Sequence, residues 1–134
     1  MKPYHIEIVT PDGLAYDGMV ESLLVHTDDG DMEILAGHAD LLATLAVGRT
    51  RIREADGTNK FASTAGGFLT VRGGEVRMVA TTFEFAEDID LSRAEAAADR
   101  AKAALDSTSD ARAENVARAK LSRALNRINV AGMK

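Results

Sequence analysis

Apolar and polar positions alternate in short runs through the first 85 residues, and after them the period changes. His5-Ile6-Glu7-Ile8 alternates, and Pro11-Asp12-Gly13 then supplies turn chemistry. Residues 19–27 are long enough for a strand and end in the acidic turn Asp28-Asp29-Gly30-Asp31. A short apolar run at 32–35 is broken by Gly37-His38, and 41–47 leads through Gly48 into 49–54, where Thr50, Ile52 and Glu54 alternate with three arginines. Asp56-Gly57 is a favoured hairpin dipeptide, residues 60–64 follow it, and Gly73-Gly74 joins 68–72 to 75–80 as the clearest hairpin. With 81–85 closing the set, the pattern predicts an antiparallel β-sandwich of about ten short strands.

Beyond residue 85 the spacing is helical. Asp90 is suited to cap a helix because its carboxylate can accept from the first free amides, and 91–105 contains no breaker. Asp106-Ser107-Thr108-Ser109-Asp110 reads as a five-residue polar link, and a second helix is predicted from Ala111 to about Asn129. A link this short favours an antiparallel two-helix hairpin. Leu91, Ala94, Ala98, Ala101 and Leu105 form one stripe; Ala113, Ala117, Leu121, Ala124, Leu125 and Ile128 form the other. Both are mostly alanine, which favours helix strongly but buries far less than leucine, whose full burial contributes about 1.5–3 kcal/mol. The expectation is a weakly held arm, with a permanently docked hairpin as the alternative.

Composition sharpens this division into residues 1–85, a β-sandwich domain, and 86–134, a helical hairpin domain. Ten of eleven glycines lie at or before Gly74, and all six aromatics and both prolines fall in the first 85 residues. Net charge is -5, which argues against nucleic acid as a partner of the whole surface. Its distribution is uneven: -6 over residues 1–85, -4 over 86–110 and +5 over 111–134. Antiparallel pairing of the last two segments would neutralise much of both. Residues 1–9 hold no apolar run suggestive of a signal peptide, and no stretch approaches the ~20 apolar residues that span a bilayer. With no cysteine there is no disulfide, thiolate nucleophile or zinc-thiolate site.

Catalytic chemistry finds little support. Gly66-Gly67 and Gly73-Gly74 lack the Lys-Ser/Thr of a phosphate-binding loop and read as turns. His5, His26 and His38 have no metal-ligand spacing, and the Asp28–Asp31 cluster lacks the pattern of a calcium loop. One constellation differs. Arg93 and Arg100, seven apart, share a face of the first helix, and Arg123 and Arg127, four apart, share a face of the second. Antiparallel folding would bring the four guanidinium groups towards the open end of the hairpin. An anion would relieve their repulsion through charge-assisted bidentate bonds; the alternative is a solvated surface on which Glu95, Asp99 and Asp106 pair with them.

Several segments in order resemble one family. They are Pro11-Asp12-Gly13, Leu35-Ala36-Gly37-His38-Ala39-Asp40-Leu41-Leu42, Ala65-Gly66-Gly67-Phe68-Leu69-Thr70-Val71, Glu87-Asp88-Ile89-Asp90-Leu91-Ser92-Arg93-Ala94 and the closing Asn126-Arg127-Ile128-Asn129-Val130-Ala131. Together, and nearly end to end, they are similar to the epsilon subunits of bacterial F-type ATP synthases. The resemblance implies a non-catalytic regulatory and coupling subunit of the rotating central stalk. Its partners would be the gamma subunit, the c-ring and the alpha and beta subunits, at the cytoplasmic face of the bacterial membrane. It further implies that an extended hairpin inhibits ATP hydrolysis, and that ATP, as a regulatory ligand, favours the folded hairpin. A purely structural coupling module without nucleotide sensing is the alternative.

The family's ATP motif, Ile/Leu-Asp-x-x-Arg-Ala, is matched by Ile89, Asp90, Arg93 and Ala94, and its further positions fall on Glu84, Arg100, Arg123 and Arg127. The resemblance gives the arginines to the phosphates, and Asp90 with the backbone near Ile89 and Ala94 to the adenine or ribose edges. Asp31, Gly37 and His38 fall in loops that lie towards the c-ring and gamma in the family. The chain departs from the family pattern at Ala36 and Asp40, where proline is usual, and at Glu33, where glycine is common.

Overall fold

The computed structural model describes residues 2–133; Met1 and Lys134, the latter counted among the basic residues of 111–134, lie outside the described residues. Seven strands form the sandwich: β1 (Tyr4–Thr10), β2 (Gly13–Thr27), β3 (Gly30–Ile34), β4 (Leu41–Thr44), β5 (Gly48–Glu54), β6 (Asn59–Arg72) and β7 (Glu75–Phe85). Their order is β1-β7-β6-β5-β2-β3, β4 pairs with β6, and a β1–β2 pairing closes the path into a flattened barrel. All pairings between named strands are antiparallel except β1 with β7, which is parallel.

Seven strands replace the expected ten or so because long strands serve both layers. The first half of β2 pairs with β1 and its second half with β3 and β5. A bulge between Val20 and Ser22 shifts the pairing with β5, and Ser22 and Leu23 are then buried consecutively. That local change of phase is why strict alternation fails in the sequence. β6 likewise joins two segments that read as separate strands, because Gly66-Gly67 continues the chain rather than ending it. Both glycines have positive φ, and a Cβ on Gly67 would stand 1.9 Å from the Val79 carbonyl oxygen of β7. Only glycine permits the two backbones to run this close.

The inward faces supply the core, in which Ile6, Ile8, Leu23, Val25, Ile34, Ile52, Leu69 and Met78 are wholly buried. Two surface clusters tie strands together. His5 bridges Asp17 (2.5 Å) and Glu75 (2.9 Å), joining β1, β2 and β7, and both carboxylates hold its pKa above the ordinary histidine value. Glu33 accepts from Ser22 (2.8 Å) and Arg51 (2.5 Å), which pull its carboxyl below the usual range. Asp40 departs from the family's proline but accepts from the Gly73 amide at 2.9 Å, tying its loop to the β6–β7 turn.

A 3₁₀ turn (Ala86–Asp88) leads into α1 (Leu91–Ser107) and α2 (Ala111–Ala131). Asp90 and Asp110 cap the two helices, accepting from the amides of Arg93 (3.1 Å) and Arg112 (3.0 Å). The link is shorter than the five residues expected, because α1 continues through Asp106 and Ser107. Ala94, Ala98 and Ala101 of α1 and Ala117 and Ala124 of α2 are buried, so the alanine stripes do form the seam. Leu91, Ala113 and Leu125 do not belong to it: Ala113 is exposed near the link, and the two leucines are each 45% exposed. Leu125 lies one residue, about 100° around the helix, from buried Ala124, and Leu91 precedes the first buried position.

Candidate functional site

The second helix, rather than the first, rests on the sandwich, meeting β5, β6 and the 3₁₀ turn near its C-terminal end. Val130 and Ala131 are buried there. One turn earlier, the Asn126 amide donates to the Gly48 carbonyl and to Ser63 Oγ, both at 2.9 Å. Arg127 Nε donates to Glu84 Oε1 at 2.8 Å, joining α2 to β7. Docking is thus concentrated in residues 126–131.

Away from that end, hairpin and sandwich line an open cavity of about 1200 Å³. Its sheet wall includes Ser63, Thr81, Phe83 and Glu84; its helical wall has an alanine floor including Ala97, Ala101 and Ala117. Five side chains singled out in the sequence line it together: Glu84 from β7, Arg93 and Arg100 from α1, Arg123 and Arg127 from α2. Arg112 and Lys120 line it too. Neither was singled out in the sequence, although Lys120 precedes Arg123 by three residues and Arg127 by seven, a spacing that marks one helical face.

Charge in this cavity is poorly balanced. Six cationic side chains face Asp12, Glu84 and Asp110. Glu84 holds Arg127, and the Asp110 carboxylate accepts from the Arg112 amide. Among the described residues, Arg93, Arg100, Arg112, Lys120 and Arg123 have no carboxylate oxygen within 4 Å. Pairing with Glu95, Asp99 and Asp106, the solvated-surface alternative, is not what these arginines do. Arg127 is half-buried and the other five are solvent-exposed, so water screens their mutual repulsion; an anion held between them would relieve what repulsion remains.

Ile89, Asp90 and Ala94 stand outside the cavity lining, where the 3₁₀ turn passes into α1. The Ile89 amide donates to Ala86 O, the Ala94 amide to Asp90 O, and Ala94 is wholly buried. Asp31 lies on β3 and is held by His26 (2.9 Å) and Arg49 (3.3 Å). Gly37, at φ 78°, and His38 lie in the β3–β4 connection, where the His38 ring contacts Ala39 O at 2.8 Å. None of these three lines the cavity. Among the described residues no helix is long and apolar enough to cross a membrane.

Comparison with known proteins agrees with this architecture. The family described as ATP synthase, Delta/Epsilon chain, beta-sandwich domain matches residues 3–86, and its long alpha-helix domain matches 87–132. The ATP synthase epsilon chain of Bacillus velezensis is 42% identical over 132 residues, spanning 98% of this chain and 99% of that one. That of Bacillus subtilis is 43% identical over the same length and shares. A chain of the Euglena gracilis mitochondrial ATP synthase has the same fold, with a TM-score of 0.84 at 21% identity over 98% of this chain and 82% of its own. A chain of the Tetrahymena thermophila central stalk and c-ring assembly is more distant, at 0.66 and 14% over 97% of each. With both domains matched and relatives of this closeness along its whole length, the chain belongs to the ATP synthase delta/epsilon family.

Proposed function

We propose that this chain is the epsilon subunit of an F-type ATP synthase and acts as an ATP-sensing regulator of its central stalk. It is non-catalytic, assembles with gamma and the c-ring, and reaches the membrane peripherally through the complex. With the hairpin docked, hydrolysis proceeds; with the hairpin extended towards alpha and beta, hydrolysis is inhibited. ATP favours the docked form because its phosphate-binding groups come from both helices and its other contacts from β7 and the 3₁₀ turn. Separation of hairpin from sandwich dismantles such a site.

The observation that carries this reading is the sharing of one cavity by Glu84, Arg93, Arg100, Arg123 and Arg127, drawn from three elements. Four guanidinium groups suit a triphosphate, and about 1200 Å³ is ample room for a nucleotide. Ile89, Asp90 and Ala94 lie at the start of α1, beside the Arg93 end of the cavity. ATP that binds only the docked form stabilises it by RT ln(1 + [ATP]/Kd), and ATP binding both forms equally would shift nothing.

Calorimetric titration of the full chain with ATP tests the reading. Arg123→Ala and Arg127→Ala should each weaken binding about tenfold or more, as loss of a charge-assisted contact implies, while the β-sheet circular dichroism stays intact. Unchanged affinity in both variants refutes the site. The Arg127–Glu84 ion pair favours a second reading, a purely structural coupling module in which the arginines serve docking alone. Absence of saturable heat with wild-type protein would select it.

A further inference from the structure

We infer that Phe85, the last residue of β7, is the positioning residue of the arm: a circuit of side chains from four strands holds its ring, and through it sets how readily the hairpin docks. Tyr16 of β2 meets the Phe85 ring edge to face at 6.2 Å, and the Lys60 ammonium of β6 stands 5.8 Å from the centre of the same ring. Both contacts lead back to one atom. Glu54 Oε2, at the end of β5, accepts from the Tyr16 hydroxyl at 2.8 Å and lies 3.7 Å from Lys60 Nζ. Phe85, Tyr16, Glu54 and Lys60 thus close a circuit in which each side chain is held by two others. Burial and the Glu54 carboxylate push the Tyr16 phenol up, so it keeps its proton and goes on donating.

Phe85 stands where the sandwich hands the chain to the arm. Ala86, next to it, is buried and opens the 3₁₀ turn, which α2 meets as it returns to the sandwich. Phe85, Ala86 and Met133 line one small cavity of about 180 Å³ there, so the ring borders the seat of the second helix. Phe83 packs edge to face against Phe85 at 5.0 Å and also lines the large cavity. Glu84, between the two rings in sequence, holds Arg127. The circuit therefore fixes both the seat of α2 and the strand residue that grips it. A seat already ordered spares docking the loss of freedom that a loose chain exit would suffer. Tyr16, Glu54, Lys60 and Phe85 lie outside the lining of the large cavity, so their influence on ATP passes through docking alone. That last link rests on the nucleotide reading; the effect on docking does not.

Single-molecule energy transfer on the full chain, between fluorophores at Asp29→Cys of the sandwich and Lys102→Cys of α1, reads the docked and undocked populations well below the melting temperature. Phe85→Leu stays apolar but loses the aromatic face, and should enlarge the undocked population about threefold or more. Phe85→Tyr keeps the ring, the adjoining cavity has room for its hydroxyl, and its populations should stay within about twofold of wild type. Lys60→Met should enlarge the undocked population about two- to fivefold, the worth of a cation over an aromatic face at a partly exposed site, and Lys60→Arg should restore it. Glu54 lines neither cavity. Glu54→Gln keeps an acceptor for Tyr16 but frees Lys60, so any undocking it causes comes through the circuit; about twofold is expected. The inference is overturned if Phe85→Leu docks like wild type, if Phe85→Tyr undocks as far as Phe85→Leu, or if Glu54→Gln leaves the populations unchanged. Should Phe85→Leu lose its β-sheet circular dichroism, the Lys60 and Glu54 variants decide. ATP should return the folded variants to the docked state; if wild type binds no ATP, the nucleotide reading falls while the populations without nucleotide still decide this one.

Discussion

Asn126 offers the sharpest test of how the hairpin is held. Its amide makes two neutral hydrogen bonds across the interface, to Gly48 O and Ser63 Oγ. Truncation to alanine removes both and leaves the buried Ser63 hydroxyl without that partner. At about 0.5–1.5 kcal/mol per bond the loss is about 1–3 kcal/mol, which moves a docked–undocked equilibrium by roughly 5- to 150-fold. The other holding terms are of similar size: burial of Val130, about 1.5–3 kcal/mol, and the partly exposed Arg127–Glu84 pair, about 1 kcal/mol or less. Asn126→Ala therefore removes a large share of a small total. The chain has no native cysteine, so two introduced thiols, Asp29→Cys on the sandwich and Lys102→Cys on α1, accept fluorophores at unique positions. Single-molecule energy transfer should report a minor long-distance population that grows severalfold in Asn126→Ala, while the β-sheet melt is unchanged. Identical distance distributions in the two proteins would refute the idea that Asn126 latches the hairpin.

Two further outcomes follow from the sandwich. Gly67→Ala places a Cβ against the Val79 carbonyl at φ 104° and should destabilise the fold by about 3 kcal/mol or more, lowering Tm by on the order of ten degrees; a loss under two degrees would contradict the close approach. The His5 clamp should give a pH-dependent contribution. Asp17 and Glu75 favour the protonated imidazole, so its folded pKa lies above its unfolded value of about 6.5. The stabilisation is complete below the unfolded value and disappears as pH rises through the folded one. His5→Gln should accordingly lower Tm more at about pH 6 than at about pH 9, and an equal loss at both would show that charge plays no part.

Much of this was legible before any coordinates, and for reasons that differ from element to element. Helix limits were read closely because Asp90 and Asp110 are local signals, each side chain bonding an amide two or three residues away. Strand count was not, because β2 and β6 change partners midway and their bulge and paired glycines look like chain breaks in one dimension. The shared face of Arg123 and Arg127 follows from helical periodicity, whereas the Arg127–Glu84 pair links residues 43 apart and depends on tertiary approach. Asn126 stands out in the sequence only as part of the closing motif, since nothing in its neighbours reveals an acceptor 78 residues earlier. Arg112 and Lys120 were counted as charge but given no direction. His5 gave no sign of its clamp, because its two carboxylates come from different strands.

The position of the docking contacts has a mechanical consequence. Chain leaves the sandwich at the 3₁₀ turn, and α2 returns to that turn after the whole length of the hairpin. Both attachments thus form one fulcrum, and the link at Thr108–Asp110 is the free tip of a lever. A force at Arg112 acts through nearly the full arm, while the same force at Arg127 acts beside the pivot. Weak attraction far out along the beam can therefore do the work of strong attraction near its root.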